Sequence, residues 1–349
     1  MTASAPASHC PRLAMFLLAV LLLLALGWSA VWFYAANRAE QEIDAWVARE
    51  VKLGRIWNCG ERRLAGFPFR FELVCGRPSL ETRGGDPIRF TAVAAHAVAQ
   101  VWAPSHIVAE FTGPAQLEDR ATGRAYGANW GLFQLSGVGD LSGQPQRFSV
   151  VVEEPRVHDA AAAEAGSLLS AHRLEFHARR QPAAASPDSV EYAAGVTKGR
   201  SALAAAVLGA DPVDVTVQGV VTAAADLRPM PLAQRLRAWA AAGGVAHLER
   251  LAITSPQLAA TAKGALSLDM EGRLNGSVDL GFAGLTELVK QLDRSGLMPR
   301  DLSPIVGALA LVGKPGTVEG RRGVTYALAF KDGTLRFGGF PVGLVPPAF

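Results

Sequence analysis

The chain has 349 residues, half of them hydrophobic, with 34 Lys and Arg set against 31 Asp and Glu. A net charge of +3, with no basic run interleaved with aromatics, lacks the electrostatic footprint of a nucleic-acid binder. Charged residues make up 19% where soluble domains carry about 25%, and the deficit is shared between one N-terminal apolar block and an abundance of alanine.

That block is residues 13–34, which run for 22 positions without a charged side chain. About 20 apolar residues cross the ~30 Å hydrocarbon core of a bilayer as a helix. Trp28, Trp32, Phe33 and Tyr34 gather at its far end, where amphipathic rings favour the headgroup layer. Arg12 precedes the block, whereas Glu40, Glu42, Asp44 and Glu50 follow it. The positive-inside bias therefore makes residues 1–12 a cytoplasmic tail, residues 13–36 a transmembrane signal anchor, and the bulk of the chain periplasmic in a bacterial inner membrane. Ala25-Leu26-Gly27 offers a cleavage site after a shorter apolar core, so a removed signal peptide competes with this reading. An apolar run that continues to Ala36 suits a retained anchor better.

Residues 37–54 read as a juxtamembrane helix closed by Gly54, with Ala39, Ile43, Trp46 and Val47 near 3.6 spacing. Cys10 falls on the cytoplasmic side as a free thiol, while Cys59 and Cys75 lie outside. In an oxidising compartment these two are expected to form a disulfide, since neither has a CxxC partner or a nearby His to suggest a metal. Between them Phe67, Phe69, Phe71 and Leu73 alternate with Pro68, Arg70, Glu72 and Val74, which predicts a strand with its aromatic face inward, and Gly66-Phe67-Pro68 sits where a turn or strand edge would be. Trp57 and Trp102 are expected in the core.

Strand patterns recur at residues 88–102, 106–112, 130–135, 147–152, 170–179, 213–222, 245–254, 257–268, 273–282, 324–330 and 334–337. Short turn segments such as Gly139-Asp140 and Asp332-Gly333 separate many of them, and short connections imply antiparallel pairing. Asn275-Gly276 reads as a turn that divides one candidate in two. Gly137 to Gly143 likewise reads as a turn. Helices are expected at 231–242, 285–295 and 302–311, with a weaker one at 160–169; residues 181–189, rich in Pro and Ala, form a soft boundary within the body.

The fold class is mainly β with minor α: an N-terminal transmembrane helix, then a large antiparallel, curved sheet in residues 55–349 with a few packed or capping helices. About 11 to 14 strands at ~4.8 Å spacing would make a groove of roughly 50 to 70 Å. No repeat of fixed period is visible, which speaks against a propeller or solenoid. There is no GxSxG elbow, HExxH, P-loop or dinucleotide fingerprint, so a hydrolase reading has no nucleophile motif behind it and no catalytic residue, cofactor or metal is expected. His172 and His177 are five residues apart, which puts them on opposite faces of a strand.

The block Trp57-Asn58-Cys59, through Gly66, Phe67, Pro68, Phe69, Arg70, Phe71, Glu72 and Leu73, to Cys75 and Pro78, resembles the signature of an uncharacterised bacterial envelope family, number 2125 among the domains of unknown function. The layout of tail, anchor and β-rich body matches that family too, which implies architecture and no chemistry. Residues 258–282 and 326–335, with Gly264-Ala265-Leu266 and Gly333-Thr334-Leu335, are similar to the tail of AsmA-like proteins. That similarity implies a membrane-anchored curved sheet connected with lipid traffic.

Residues 213–222 carry small or β-branched side chains inward: Val213, Val215, Val217 and Val221. Such side chains fill a core poorly, so these four are the candidate lipid-facing positions on an apolar concave sheet. The expected function is non-enzymatic, with membrane lipids as ligands and an envelope protein as a further candidate partner. The alternative is a structural or interaction scaffold with a filled core and no ligand. Oligomeric state is left open.

Overall fold

The computed structural model describes residues 11–83, 87–140, 142, 144–181, 188–209, 211–224, 230–296 and 313–349. The helix expected at 302–311 and most of the 181–189 boundary lie outside the described residues. Four α-helices are described: α1 (Pro11–Lys52), α2 (Ala202–Leu208), α3 (Leu232–Ala241) and α4 (Leu285–Arg294). Anchor and juxtamembrane helix are thus one element, because the sequence after Ala36 has no Gly or Pro to interrupt it and Arg38 pairs with Glu42 one turn on, at 2.7 Å. At about 1.5 Å per residue, 42 residues make a rod of ~63 Å, twice a hydrocarbon core. The rod ends where Gly54 takes a φ of 76°.

Nineteen strands form one antiparallel sheet. The first ten are β1 (Arg55–Ala65), β2 (Arg70–Thr82), β3 (Ile88–Gln100), β4 (Ala103–Asp119), β5 (Arg124–Asn129), β6 (Leu132–Gly139), β7 (Pro145–Glu153), β8 (Arg156–Asp159), β9 (Leu169–Ser170) and β10 (Arg173–Arg180). The rest are β11 (Val190–Ser201), β12 (Val213–Val221), β13 (Val245–Thr254), β14 (Ala259–Leu268), β15 (Leu274–Ala283), β16 (Lys314–Val318), β17 (Arg321–Lys331), β18 (Thr334–Phe337) and β19 (Phe340–Leu344). A 3₁₀ helix at Ala160–Ala165, capped by the Asp159 side chain on Ala161 N, replaces the helix expected over 160–169. Strands β10 and β11, which flank residues 181–189, pair directly, Arg180 opposite Val190.

Several expectations change. Strand β2 begins only at Arg70, so Phe67 and Phe69 lie on the turn instead of facing a core; a turn closed by Arg70 N to Gly66 O at 3.1 Å takes them out of the ladder. Trp102 sits on the β3–β4 turn and is 67% exposed, because the strand ends two residues earlier. Asn275-Gly276 does not divide β15: Gly276 stays paired with Leu266 and Phe330, the glycine absorbing a φ of 126° in mid-strand. Gly137 to Gly139 belong to β6, and the turn starts at Asp140.

The sheet is creased along one line. Strand β4 pairs with β6 through His106–Glu110 and with β5 through Ala115–Asp119, the two halves meeting at Gly113-Pro114. Strands β5 and β6 therefore lie end to end with a break at Trp130-Gly131; β7 and β8 do so at Glu154-Pro155, and β9 and β10 at Ala171-His172. Strand β11 shifts register between Val196 and Gly199, and β3 between Ala92 and Ala94, at the same level. Glu154 and Lys198 on this line have φ of 48° and 50°. Hydrogen bonds still cross it, Gly131 N to Glu153 O at 2.8 Å and His172 N to Thr197 O at 2.8 Å. Bulges bend a strand and raise its twist, so a row of them folds the sheet along a hinge line while keeping it continuous. Trp130 packs into the crease, its indole N–H donating to Phe111 O at 2.8 Å.

Little of this sheet is covered by a second layer. Only 13 apolar residues are buried among those described, eight of them alanines, and the one buried cluster is Ala259, Ala283 and Val318. The chain exposes 22249 Å². A compact monomer of 36.7 kDa would expose about 13,500 Å².

Candidate functional site

Residues directly opposite one another in a ladder lie on the same face, so the register shows what each face presents. Starting at Leu64, direct pairing carries to Leu73, Ala97, Ala109, Leu135, Val150 and Phe176. The row goes on through Ala194, Val217, Leu251, Ala262 and Leu280 to Tyr326. Thirteen strands contribute one residue each, and every residue is apolar or aromatic. Twelve intervals at ~4.8 Å make the row about 58 Å long. A second row, from Phe71 through Ala99, Ile107 and Phe148 to Tyr192, runs beside it, and a third includes Phe133, Val152, Leu174, Val196, Val215 and Ile253.

This face is open. Ile107 is 49% exposed, Phe148 42% and Phe176 40%, and most of the rest of the first row is half-buried. Tyr192 and Tyr326 have phenol pKa values raised by burial, with the Glu249 carboxylate adding to the shift at Tyr192. Val213, Val215, Val217 and Val221 all lie on this face, with Gly219 between the last two. Val213 is buried at the α2 end of its strand; the others are half-buried.

The opposite face is charged and paired. Arg173 bridges Glu153 at 2.8 Å and Glu175 at 2.9 Å, Arg179 meets Glu191 at 2.5 Å, and Gln134 donates to Glu110 at 2.8 Å. The Glu191 carboxyl is held below its usual range, chiefly by the Arg179 hydrogen bond and then by Gln181. His177 Nδ1 lies 3.0 Å from Ser149 Oγ, with Glu175 at 3.8 Å from Nε2. This resembles a nucleophile–base pair, but Ser149 is in mid-strand, paired with both Ser136 and His177. The ladder therefore leaves no pair of N–H groups aimed at a developing oxyanion. No group of three or more His, Cys, Asp or Glu that could hold a metal occurs among the described residues.

The signature block joins the sheet to the apolar helix α1. Cys59 and Cys75 form a disulfide with a Cα separation of 5.5 Å, clipping β1 to β2. Gly66 has a φ of 103°, and a Cβ there would stand 2.6 Å from Arg70 O. That turn rests against α1: Trp28 donates to Pro68 O at 2.9 Å and Trp32 to Arg70 O at 3.2 Å. Further along the rod, Asp44 pairs with Arg62 at 2.7 Å, Trp46 packs on Trp57 with centroids 5.6 Å apart, and Glu50 takes Arg55 at 2.5 Å. Arg70 and Glu72, adjacent on the polar face, form an ion pair with each other.

Sequence reasoning placed the valines of β12 on an apolar face but missed the row to which they belong. Strand β11, which joins β10 to β12, was not among the expected strands, because Gly195, Lys198 and Gly199 weaken its alternation. The available signal was the phase of alternation within each strand; the alignment between strands depends on the register.

No curated protein sequence matches this chain. Residues 32–346, which take in the end of the apolar helix and nearly all of the sheet, match the profile of the bacterial family described as "Uncharacterized protein conserved in bacteria (DUF2125)", and the chain belongs to that family.

Proposed function

We propose that this is a non-enzymatic, membrane-anchored envelope protein that holds lipid acyl chains against the apolar face of its sheet. One observation carries the reading: thirteen successive strands place an apolar side chain in one directly paired row, and no second sheet covers it among the described residues. Leaving that area in water is unfavourable by about 25 cal/mol per Å², which a hydrocarbon chain lying along it would relieve. A trough about 58 Å long by strand spacing has room for several acyl chains end to end. The charge asymmetry about the apolar helix and the disulfide support an N-terminus in the cytoplasm and a sheet in the oxidising periplasm. The similarity of residues 258–282 to AsmA-like proteins points the same way.

The scaffold reading draws on the packed cluster Ala259, Ala283 and Val318, where β14, β15 and β16 meet. That cluster is confined to β14, β15 and β16; the row crosses β14 and β15 as well and ends at Tyr326, and it is open over the strands before them.

The test is mass spectrometry of lipids that copurify with the detergent-extracted protein. Near-stoichiometric phospholipid or another two-chain lipid is expected; a protein purified without any bound lipid replaces this function with the scaffold.

A further inference from the structure

The tips of two neighbouring hairpins stand beside the apolar helix at a level that lies inside its charge-free run. Trp28 binds Pro68 O at 2.9 Å, and Phe33 stacks on Phe67 with centroids 5.7 Å apart and 15° between planes. At about 1.5 Å per residue, Trp28 is ~22 Å from Leu13 and Phe33 ~30 Å. A ~30 Å hydrocarbon core that begins at Leu13 therefore ends level with Phe33, and the β1–β2 tip touches the helix within its last few ångströms. The β3–β4 tip is held beside it, Val101 N donating to Phe69 O at 3.1 Å.

What these tips expose suits that depth. Phe67 is 49% exposed, Phe69 58% and Trp102 67%. Neither Gly66-Phe67-Pro68-Phe69 nor Val101-Trp102-Ala103-Pro104 contains a charge. The β4–β5 tip at the other edge of the same strands is built instead from Asp119, Arg120, Thr122 and Arg124. Aromatic rings on uncharged tips favour the boundary between headgroups and acyl chains, and charged tips favour water; Arg70, which follows Phe69, is paired with Glu72.

We propose that Phe67, Phe69 and Trp102 insert into the leaflet through which α1 leaves the bilayer, so that the sheet is seated on the membrane at three points as well as tethered to it. Phe71, Ala99 and Ile107, which begin the apolar rows, then lie immediately above the acyl boundary, and the open face starts where the leaflet ends. This rests on α1 as a membrane anchor and not on lipid being carried.

The test uses the full chain with Cys10→Ser, reconstituted in phosphatidylethanolamine and phosphatidylglycerol vesicles and spin-labelled singly at Phe69→Cys, Trp102→Cys, Thr122→Cys or Leu22→Cys. Collision with oxygen against a water-soluble nickel chelate reads depth. Labels at 69 and 102 should show an oxygen-to-nickel ratio severalfold above that at 122 and approaching that at 22. If 69 and 102 read like 122 while 22 reads as lipid, the seating is wrong and the anchor stands; if 22 also reads as water, both are wrong. Without any label, lipids brominated near the headgroup end of the chain should quench the protein's tryptophan fluorescence, and Trp102→Phe should reduce the quenched fraction. An unchanged fraction would count against the insertion of that tip.

Discussion

Trp32 stacks on Phe71 with ring centroids 5.6 Å apart and planes 21° from parallel, which makes the apolar helix and the first strand pair one packed unit. Trp32 is 5% exposed although it lies near the end of the apolar run of α1, which is otherwise open, and its N–H is satisfied by Arg70 O. Trp32→Ala should therefore cost about 3–5 kcal/mol of local stability, seen as faster hydrogen exchange in the first strand pair. Trp32→Phe keeps a ring on Phe71 and loses the hydrogen bond, which should cost about 0.5–1.5 kcal/mol. Equal exchange in wild type and Trp32→Ala would separate helix and sheet.

Removal of the clip between Cys59 and Cys75 should be felt in the same unit. A bridge over 16 residues stabilises by about 3 kcal/mol in the chain-entropy model. Denaturant unfolding of Cys59→Ala should show a loss of that order, and reductant should add nothing further. Thiol labelling of the unreduced wild type should modify one cysteine in three.

Three valines of one strand should respond differently to the same change. Val215→Asp and Val217→Asp place a carboxylate on the half-buried part of the face, where water reaches it; the fold should survive and copurifying lipid should fall severalfold. Val213 is 4% exposed, and Val213→Asp should lower the melting temperature sharply. If all three unfold alike, the face is a filled core.

Gly66→Ala should destabilise the hairpin by about 1–3 kcal/mol, since it combines a φ of 103° with a Cβ 2.6 Å from Arg70 O. Circular dichroism melts would show the loss, and proteolysis would map it to the β1–β2 tip.

Lowered carboxyls, Asp119 and Glu191 among them, set the sign of the acid response. Asp119 is lowered by the Thr122 hydroxyl first and then by the Ala121 and Thr122 amides; Glu191 is lowered by Arg179. A group whose folded pKa lies below its unfolded value contributes its full stability above the unfolded value and loses it as pH falls through the folded one. Stability should thus be flat through neutral pH and decline from the ordinary carboxylate range downward. Asp119→Asn should flatten part of that decline, as followed by melts across pH.

Much of this fold was legible because its signals are local. A charge-free run announces a long apolar helix whatever surrounds it, and the strand expected at 245–254 has the bounds of β13. Where backbone geometry breaks local rules the reading failed: β11 bulges at Lys198, β15 passes through Asn275-Gly276 unbroken, and Phe67 and Phe69 turn out of the ladder.

By itself the sequence determined the class of structure, the long apolar helix, the cysteine pair and the shared face of the β12 valines, since each depends on side-chain chemistry within a short window. Only the tertiary structure decided that Leu64 and Tyr326 belong to one row, that the bulges of β3 and β11 fall on one line, and that the signature phenylalanines meet the apolar helix. Register and bulge position depend on hydrogen bonds between strands distant in sequence, and a shift of one residue would have turned the apolar row to the charged face.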